Sequence, residues 1–215
     1  AAVTAALVSP VGPATAEPEA RPAPSNAVPG SDQTDVGADY NDGKPLPSAA
    51  SLRKLVAQRN QQQTKAAADA VVGDVATWLA LDDFTGSIYA KDYELRGLGD
   101  HIEVWVATDT AFPDGDCRND LGMTDITDQV DSFVTEFDDN IYPKESASFS
   151  VPPSADGSEG VVGVGEVSPD QADNIVTLVD NVRDANFYEP STPDGQTFIA
   201  GFFYSVFNDY ADRNI

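Results

Sequence analysis

The sequence predicts a mixed α/β fold, in which a twisted mixed sheet packs against a crossover helix and a disordered N-terminal segment comes first. The residues from His101 to Ala107 (HIEVWVA) form an apolar run rich in β-branched and aromatic side chains, typical of a strand buried on both faces. Apolar residues then recur every three or four positions from Ile126 to Ile141, as along one side of an amphipathic helix. A second apolar run, Asn174 to Val182, supplies the parallel strand that such a helix connects to.

The segments before the domain are expected to lie outside this sheet. Residues 1–16 are interpreted as a signal peptide remnant, because a short apolar run precedes the small-x-small sequence Ala14-Thr15-Ala16. Residues 17–47 are rich in Pro, Gly, Ser and Ala, so we expect a disordered linker. Residues 48–71 contain strong helix formers that Ser48 or Ser51 can cap, which predicts a helical pro-segment or connector.

Residues 72–215 are expected to form the folded domain, because eighteen of the nineteen aromatic residues lie there. The sequence begins without Met inside an apolar run and ends at Ile215, directly after another apolar pattern. We therefore expect a fragment of a longer protein, in which this domain is incomplete.

The elements of the domain follow from its local patterns. The runs Val75 to Leu81 and Ile88 to Arg96 predict two strands that precede the central strand, with a hairpin connection at residues 97–100. The three strands then form an antiparallel meander. Pro143 is expected to end the helix, and residues 144–173 are expected to be a long irregular connection.

The formal net charge of −24 is concentrated in the domain. Residues 72–215 hold twenty-nine of the thirty-six acidic residues but only six of the twelve basic ones. Such a domain repels phosphate groups, so neither nucleic acid nor, after signal cleavage, a membrane is an expected partner. A solvated acidic surface is the simplest interpretation.

The residues that most often carry catalysis are scarce. Cys117 is the single cysteine, so no disulfide forms within the chain and its partner stays open. His101 is the single histidine, which excludes an H-E-x-x-H zinc motif from this sequence. There is also no G-x-S-x-G or Walker motif, and we predict no catalytic residue and no zinc ligand here.

An acidic loop follows the central strand, where open α/β sheets build their sites. Its oxygen-bearing side chains are of the type that calcium prefers, although the spacing is not that of an EF-hand. The candidate calcium ligands are Asp109, Asp114, Asp116 and Asp120, with Asn119 beside them. The alternative is a hydrated turn without a metal.

Several blocks of the sequence, in order, carry a resemblance to a known family. The blocks are VATWLALDD (residues 75–83), YELRGLGDHIEVWVATD (93–109), FPDGDCRND (112–120), ITDQVDSFVTEFDDNIYPKES (126–146), NIVTLVDNVRDANFY (174–188) and FIAGFFYSVFNDYADRNI (198–215). Together they resemble the segment upstream of the zinc site in secreted bacterial metallopeptidases related to immune inhibitor A. The resemblance implies a zincin-like fold, a protein or peptide substrate, and zinc-bound water activated by the glutamate of an H-E-x-x-H helix.

In such a protein the zinc-binding helix would lie beyond Ile215, so no catalytic residue is carried over and this chain alone is predicted to be inactive. The apolar run from Thr197 to Val206 predicts a last strand. Zincins pair a sheet-edge strand with extended substrate, and the candidate substrate-binding residues are Phe198, Ile199, Ala200, Gly201, Phe202 and Phe203. An ordinary core strand is the alternative.

The functional prediction is therefore the N-terminal scaffold of a secreted, extracellular zinc metalloendopeptidase. Two alternatives stay open. One is a secreted non-catalytic binding or surface protein on the same scaffold. The other is a pro-segment, residues 17–71, that assists folding and would inhibit the mature enzyme when added in trans.

Overall fold

The computed structural model describes residues 48, 50–51, 53–54, 69–116, 119, 126–189 and 199–215. These residues form a mixed α/β structure with one four-stranded mixed sheet and several short helices, which confirms the predicted class. The strands are β1 (Val75–Asp82), β2 (Ser87–Leu98), β3 (Ile102–Ala107) and β4 (Ile175–Val179). The helices are α1 (Thr127–Glu136), α2 (Tyr142–Ser148), α3 (Ala185–Tyr188) and α4 (Ser205–Ala211), with a π-helical turn (Phe137–Ile141) between α1 and α2.

The sheet has the strand order β1-β2-β3-β4. β1 pairs with β2 and β2 with β3 in antiparallel fashion, whereas β3 and β4 are parallel. The predicted meander and the parallel crossover are therefore both confirmed. β2 extends into the predicted hairpin connection, because Gly97 and Leu98 still pair with β3 after a register shift between Leu95 and Gly97.

The crossover helix packs on one face of the sheet. Ile102, Val104 and Val106 of β3 form a buried cluster with Val130 of α1. Gly97 is required where the helix crosses β2, because a Cβ atom there would lie 2.6 Å from Cγ1 of Val130. The predicted apolar stripe is thus largely inward-facing.

The prediction that Pro143 ends the helix is wrong. The helical path continues from Thr127 to Ser148, and Pro143 lies in the first turn of α2, directly after the π-helical turn. Proline is tolerated there, since its missing N–H and fixed φ cost least at the start of a helix. The same turn carries Asp138, whose carboxylate accepts the backbone N–H groups of Asp100 (2.7 Å) and His101 (3.0 Å). The helix is thereby connected to the β2–β3 turn.

The opposite face of the sheet is aromatic and partly charged. The rings of Trp78 and Trp105 meet edge to face with centroids 5.4 Å apart. Glu103 of β3 forms an ion pair with Arg213, and both side chains are almost fully buried. Gly163 closes over Trp78, and its N–H donates to the carbonyl of Thr77 at 2.7 Å.

The predicted strand from Thr197 to Val206 is wrong over its described part. Ile199 to Tyr204 have no regular secondary structure, and α4 begins at Ser205. Thr197 and Phe198 lie outside the described residues. The aromatic composition of this run favours a strand, but Phe207 and Ala211 are buried four residues apart, and a helical turn puts both on the same side of the element.

The N-terminal predictions are described only in part. Ala50, Ser51, Arg53 and Lys54 are helical, and Oγ of Ser48 accepts the N–H of Ser51 at 3.2 Å, so Ser48 is the cap of the two predicted candidates, Ser48 and Ser51. The signal peptide remnant and the linker lie outside the described residues, as does most of the predicted connector. Among the helices that are described, none is both long and apolar enough to span a bilayer.

Candidate substrate groove and acidic loop

A groove of about 430 Å³ is lined by β4, by residues 79–81 of β1 with Tyr93 of β2, and by residues 199–204. The described members of the predicted substrate-binding set, Ile199, Ala200, Gly201, Phe202 and Phe203, all line it. These residues line the groove without regular secondary structure, and Phe198 lies outside the described residues. All five residues of β4 line the groove, and sequence reasoning treated that strand only as the second half of the crossover.

The outer edge of β4 already pairs with an extended segment of this chain. The N–H of Ile175 donates to His101 on the β3 side (2.9 Å), whereas the N–H of Val176 donates outward to the carbonyl of Asn214 (2.6 Å). Ile175 and Asn214 form a parallel bridge. Because N–H groups alternate along a strand, that of Leu178 faces the same side as that of Val176. The edge therefore presents the hydrogen-bonding pattern that strand addition uses.

A polar network stands at the end of this groove. Nζ of Lys91 lies 2.5 Å from Oδ1 of Asp180 and 2.5 Å from Oδ1 of Asn181. Tyr93 donates its hydroxyl to Oδ2 of Asp180 at 2.8 Å. Burial, with the charge of Asp180 as a second cause, raises the pKa of Tyr93 well above its ordinary value, so the phenol stays protonated. Asn181 also donates to the carbonyl of Ala111 (2.5 Å), which connects the acidic loop to the end of β4.

The side chains of this network are hydrogen-bonded to one another, so their main effect is to hold β2 and the end of β4 together. This network has only a weak signature in the sequence, because Lys91 belongs to a roughly alternating run in which a lysine is expected to face solvent. In the structure Lys91 is buried, and its two acceptors are 89 and 90 positions away along the chain. Such a pairing depends on the parallel register of β4 with β3.

The acidic loop does not gather its described carboxylates around a common point. Asp109 accepts the N–H of Ala111 (3.2 Å), Asp114 is exposed, and Asp116 is buried. The side-chain amide of Asn119 forms hydrogen bonds within the loop. Its oxygen accepts the N–H of Phe112 (2.9 Å), and its nitrogen donates to the carbonyls of Phe112 and Pro113 (3.1 Å each). Asp120 lies outside the described residues, as does Cys117.

The residues that are present do not fit a zinc ion. In the described ranges, from 48 to 215 with their gaps, no group of three or more His, Cys, Asp or Glu side chains is arranged to hold a metal. The chain also has a single histidine. We therefore assign no catalytic step to this chain's residues.

Comparison with known proteins leaves the family open. No protein-family model matches this sequence, and no curated protein matches it significantly. The resemblance to metallopeptidases related to immune inhibitor A therefore stays a prediction.

Proposed function

We propose that this chain is the N-terminal scaffold of an exported zinc metalloendopeptidase, and that the H-E-x-x-H helix follows Ile215 in the longer protein. The observation that carries the proposal is the agreement between the resembling blocks and the elements of one domain. The block at 75–83 coincides with β1, that at 93–109 with the end of β2 and all of β3, and that at 126–146 with the helical crossover. The block at 174–188 contains β4.

In this proposal the groove beside β4 is the part of the scaffold that contacts a peptide substrate. An extended peptide would add to the β4 edge beyond the position of Asn214, and would meet Phe202 and Phe203, which line the same groove. Phe203 is 71% exposed, so it has apolar area to cover. Main-chain hydrogen bonds would supply affinity with little sequence preference, and pockets for alternate side chains would supply specificity.

The direct test uses the complete gene. We expect an H-E-x-x-H sequence downstream of Ile215, about one zinc ion per purified chain, and casein hydrolysis that stops when zinc is chelated. A complete protein with no such motif, no zinc and no hydrolysis would support the alternative, a secreted non-catalytic binding or surface protein on the same scaffold.

The groove has its own matched pair of variants in the complete protein. Phe203→Ala removes an exposed ring beside β4, and Phe149→Ala removes a ring that is 80% exposed but does not line the groove. Both variants should fold normally. We expect Phe203→Ala to lower kcat/KM for peptide hydrolysis roughly tenfold, because a lost apolar contact of this size is worth about that factor. Equal effects of the two substitutions would exclude the groove as the substrate site.

Calcium binding by the acidic loop remains a secondary proposal, supported by the chemistry of Asp109, Asp114, Asp116 and Asp120 rather than by their positions. Titration of the purified chain with calcium should raise its Tm if the loop closes around the ion, because a ligand that binds only the folded state stabilises it. An unchanged Tm at roughly millimolar calcium, the weak end of known protein sites, would remove the proposal.

A further inference from the structure

Four aromatic rings from three turns contact one another at one end of the sheet. Phe84 follows β1, Phe112 follows β3, and Phe187 and Tyr188 lie in α3, after β4. Because β1, β3 and β4 run in the same direction, all three turns lie at the carboxyl ends of their strands. The ring centroids are 5.1 Å apart for Phe84 and Tyr188, 5.2 Å for Tyr188 and Phe187, and 6.0 Å for Phe187 and Phe112. We call these four rings the aromatic patch.

Two rings of the aromatic patch are exposed to solvent. Phe84 is 63% exposed and Tyr188 is 42% exposed, whereas Phe112 and Phe187 are half-buried. Single exposed apolar side chains are common on protein surfaces, but connected ones mark contact surfaces more often. Aromatic side chains are also enriched where proteins bind one another. The aromatic patch therefore has the composition of an interaction surface.

Polar groups hold the exposed part of the aromatic patch in place. The hydroxyl of Tyr188 donates to Oδ2 of Asp82, a residue that is only 5% exposed, and Arg183 donates to the same hydroxyl. The N–H of Phe84 donates to the carbonyl of Arg183 (3.2 Å), and Asp82 and Arg183 form a parallel bridge. The two exposed rings are thus fixed relative to each other before a partner arrives, which lowers the entropic cost of binding.

The surroundings of the aromatic patch are acidic. Asp83 precedes Phe84 and Glu189 follows Tyr188, so each exposed ring has a carboxylate on an adjacent residue. The three turns contain eight acidic residues and one basic residue over their described parts, which are 82–86, 108–116 and 180–189. The faces of aromatic rings carry partial negative charge and attract cations. Both the rings and the acidic turns therefore favour a positively charged partner over an anionic one.

We propose that the aromatic patch binds a basic segment of a partner protein, with an arginine side chain stacked on the rings of Phe84 and Tyr188. Arginine suits this surface better than lysine, because its guanidinium is planar and more weakly hydrated. The chain makes the same kind of contact next to the patch, where the guanidinium carbon of Arg183 lies 4.3 Å from the centroid of the Tyr89 ring. The proposal is independent of the metallopeptidase proposal, since no ring of the patch lines the groove.

The test is titration of the isotope-labelled 215-residue chain with blocked peptides, observed by amide chemical shifts. Roughly 0.15 M NaCl screens diffuse attraction to the acidic surface. The probe is the peptide Gly-Arg-Gly-Arg-Gly, and its control carries citrulline in place of both arginines, which keeps the planar shape and removes the charge. We expect shifts concentrated at residues 84–86 and 187–189, and about tenfold tighter binding of the arginine peptide, because the control loses both ring stacking and attraction to the acids. Shifts spread over the whole surface, or equal binding of the citrulline peptide, would overturn the proposal.

A pair of ring variants separates cation–π stacking from apolar contact. Phe84→Leu keeps an apolar side chain but removes the ring, so it should weaken the arginine peptide about two- to fivefold. Because Phe84 is largely exposed, the variant should fold like the parent. Phe149→Leu is the matched control, since that ring is 80% exposed and lies outside the patch, and it should bind like the parent. If Phe84→Leu bound the arginine peptide as tightly as the parent, the assignment would be wrong.

A pair of charge variants separates local attraction from net charge. Glu189→Gln and Glu145→Gln each remove one exposed negative charge, but only Glu189 adjoins a ring of the patch. We expect Glu189→Gln to weaken the arginine peptide and Glu145→Gln to leave its affinity unchanged, because salt screens a distant charge more completely. Equal losses in the two variants would mean that the peptide responds to the total charge of the domain, and would also overturn the proposal.

Discussion

The ion pair between Glu103 and Arg213 offers the sharpest test of how the domain is held together. The side chains of Arg213 and Glu103 are 1% and 0% exposed. Glu103 uses its second oxygen to accept the indole N–H of Trp105 at 2.9 Å, and Arg213 also donates to the carbonyl of Gln171 at 3.0 Å. Nε and Nη1 of Arg213 have no partner in the part of the chain that is described. Most of the stabilisation of this guanidinium therefore comes from one carboxylate.

Replacing Glu103 by Gln preserves the shape of the side chain and removes its charge, which leaves the Arg213 guanidinium buried without a counter-ion. Loss of one member of a buried pair costs about 3 to 5 kcal/mol. A domain of ordinary stability has about 5 to 15 kcal/mol in total. The variant should therefore lose from about a fifth to all of its free energy of unfolding, and at the lower limit of stability it should not fold.

Equilibrium urea denaturation, observed by tryptophan fluorescence, measures this loss, because both tryptophans lie in the same buried cluster as Glu103. Lys144→Gln, on the exposed surface of α2, is the control and should change stability by less than about 0.5 kcal/mol. The double variant Glu103→Leu/Arg213→Met should be more stable than Glu103→Gln, since an apolar pair leaves no buried charge. A cost below about 1 kcal/mol for Glu103→Gln would refute the reasoning, because it would mean that the guanidinium finds water or another partner.

Three further predictions concern local geometry and charge. Gly163→Ala should destabilise the domain more than Gly165→Ala. Both glycines have φ above +80°, which costs an alanine about 1 to 2 kcal/mol. Only at Gly163 would the new Cβ also lie 2.9 Å from the Trp78 ring. Thermal denaturation of the two variants isolates this clash, and equal Tm values would contradict it. Asp138→Ala should cost about 1 to 2 kcal/mol, because two backbone N–H groups lose their acceptor, whereas Asp139→Ala, one residue along and exposed, should be nearly neutral by urea denaturation. Finally, because the formal charge is −24, raising NaCl to roughly 1 M should raise the Tm by screening self-repulsion, and a falling Tm would argue against repulsion as a destabilising factor.

Much of the sheet could be predicted because the local pattern and the final environment agree. β3 is buried along its whole length, as an apolar run of that kind requires, and the parallel pairing with β4 follows from the helix between them. The two wrong elements show where the agreement ends. Pro143 is tolerated because it lies in the first turn of α2, and the run before Phe207 is not a strand because burial of Phe207 and Ala211 requires a helical period.

The candidate sites were predicted less well than the fold. The described residues of the predicted substrate segment line a groove, but they do not form the predicted edge strand, and substrate binding stays a prediction. The acidic loop was identified by its composition, and composition does not specify the direction of each carboxylate. In the structure Asp109 and Asn119 form hydrogen bonds within the loop. The contacts of Arg183 were not predicted, because only the tertiary structure brings its guanidinium over the Tyr89 and Phe187 rings.

By itself, the sequence determined the class of the domain, the meander, the crossover helix and the strongly acidic character, because these depend on residues close together in the chain. Only the tertiary structure decided which charged groups are buried in pairs. Glu103 meets Arg213 across 110 positions, and Lys91 meets Asp180 across 89. Contacts over such separations follow from how the strands pair and from the return of the C-terminal segment to β4, and no local sequence pattern encodes either.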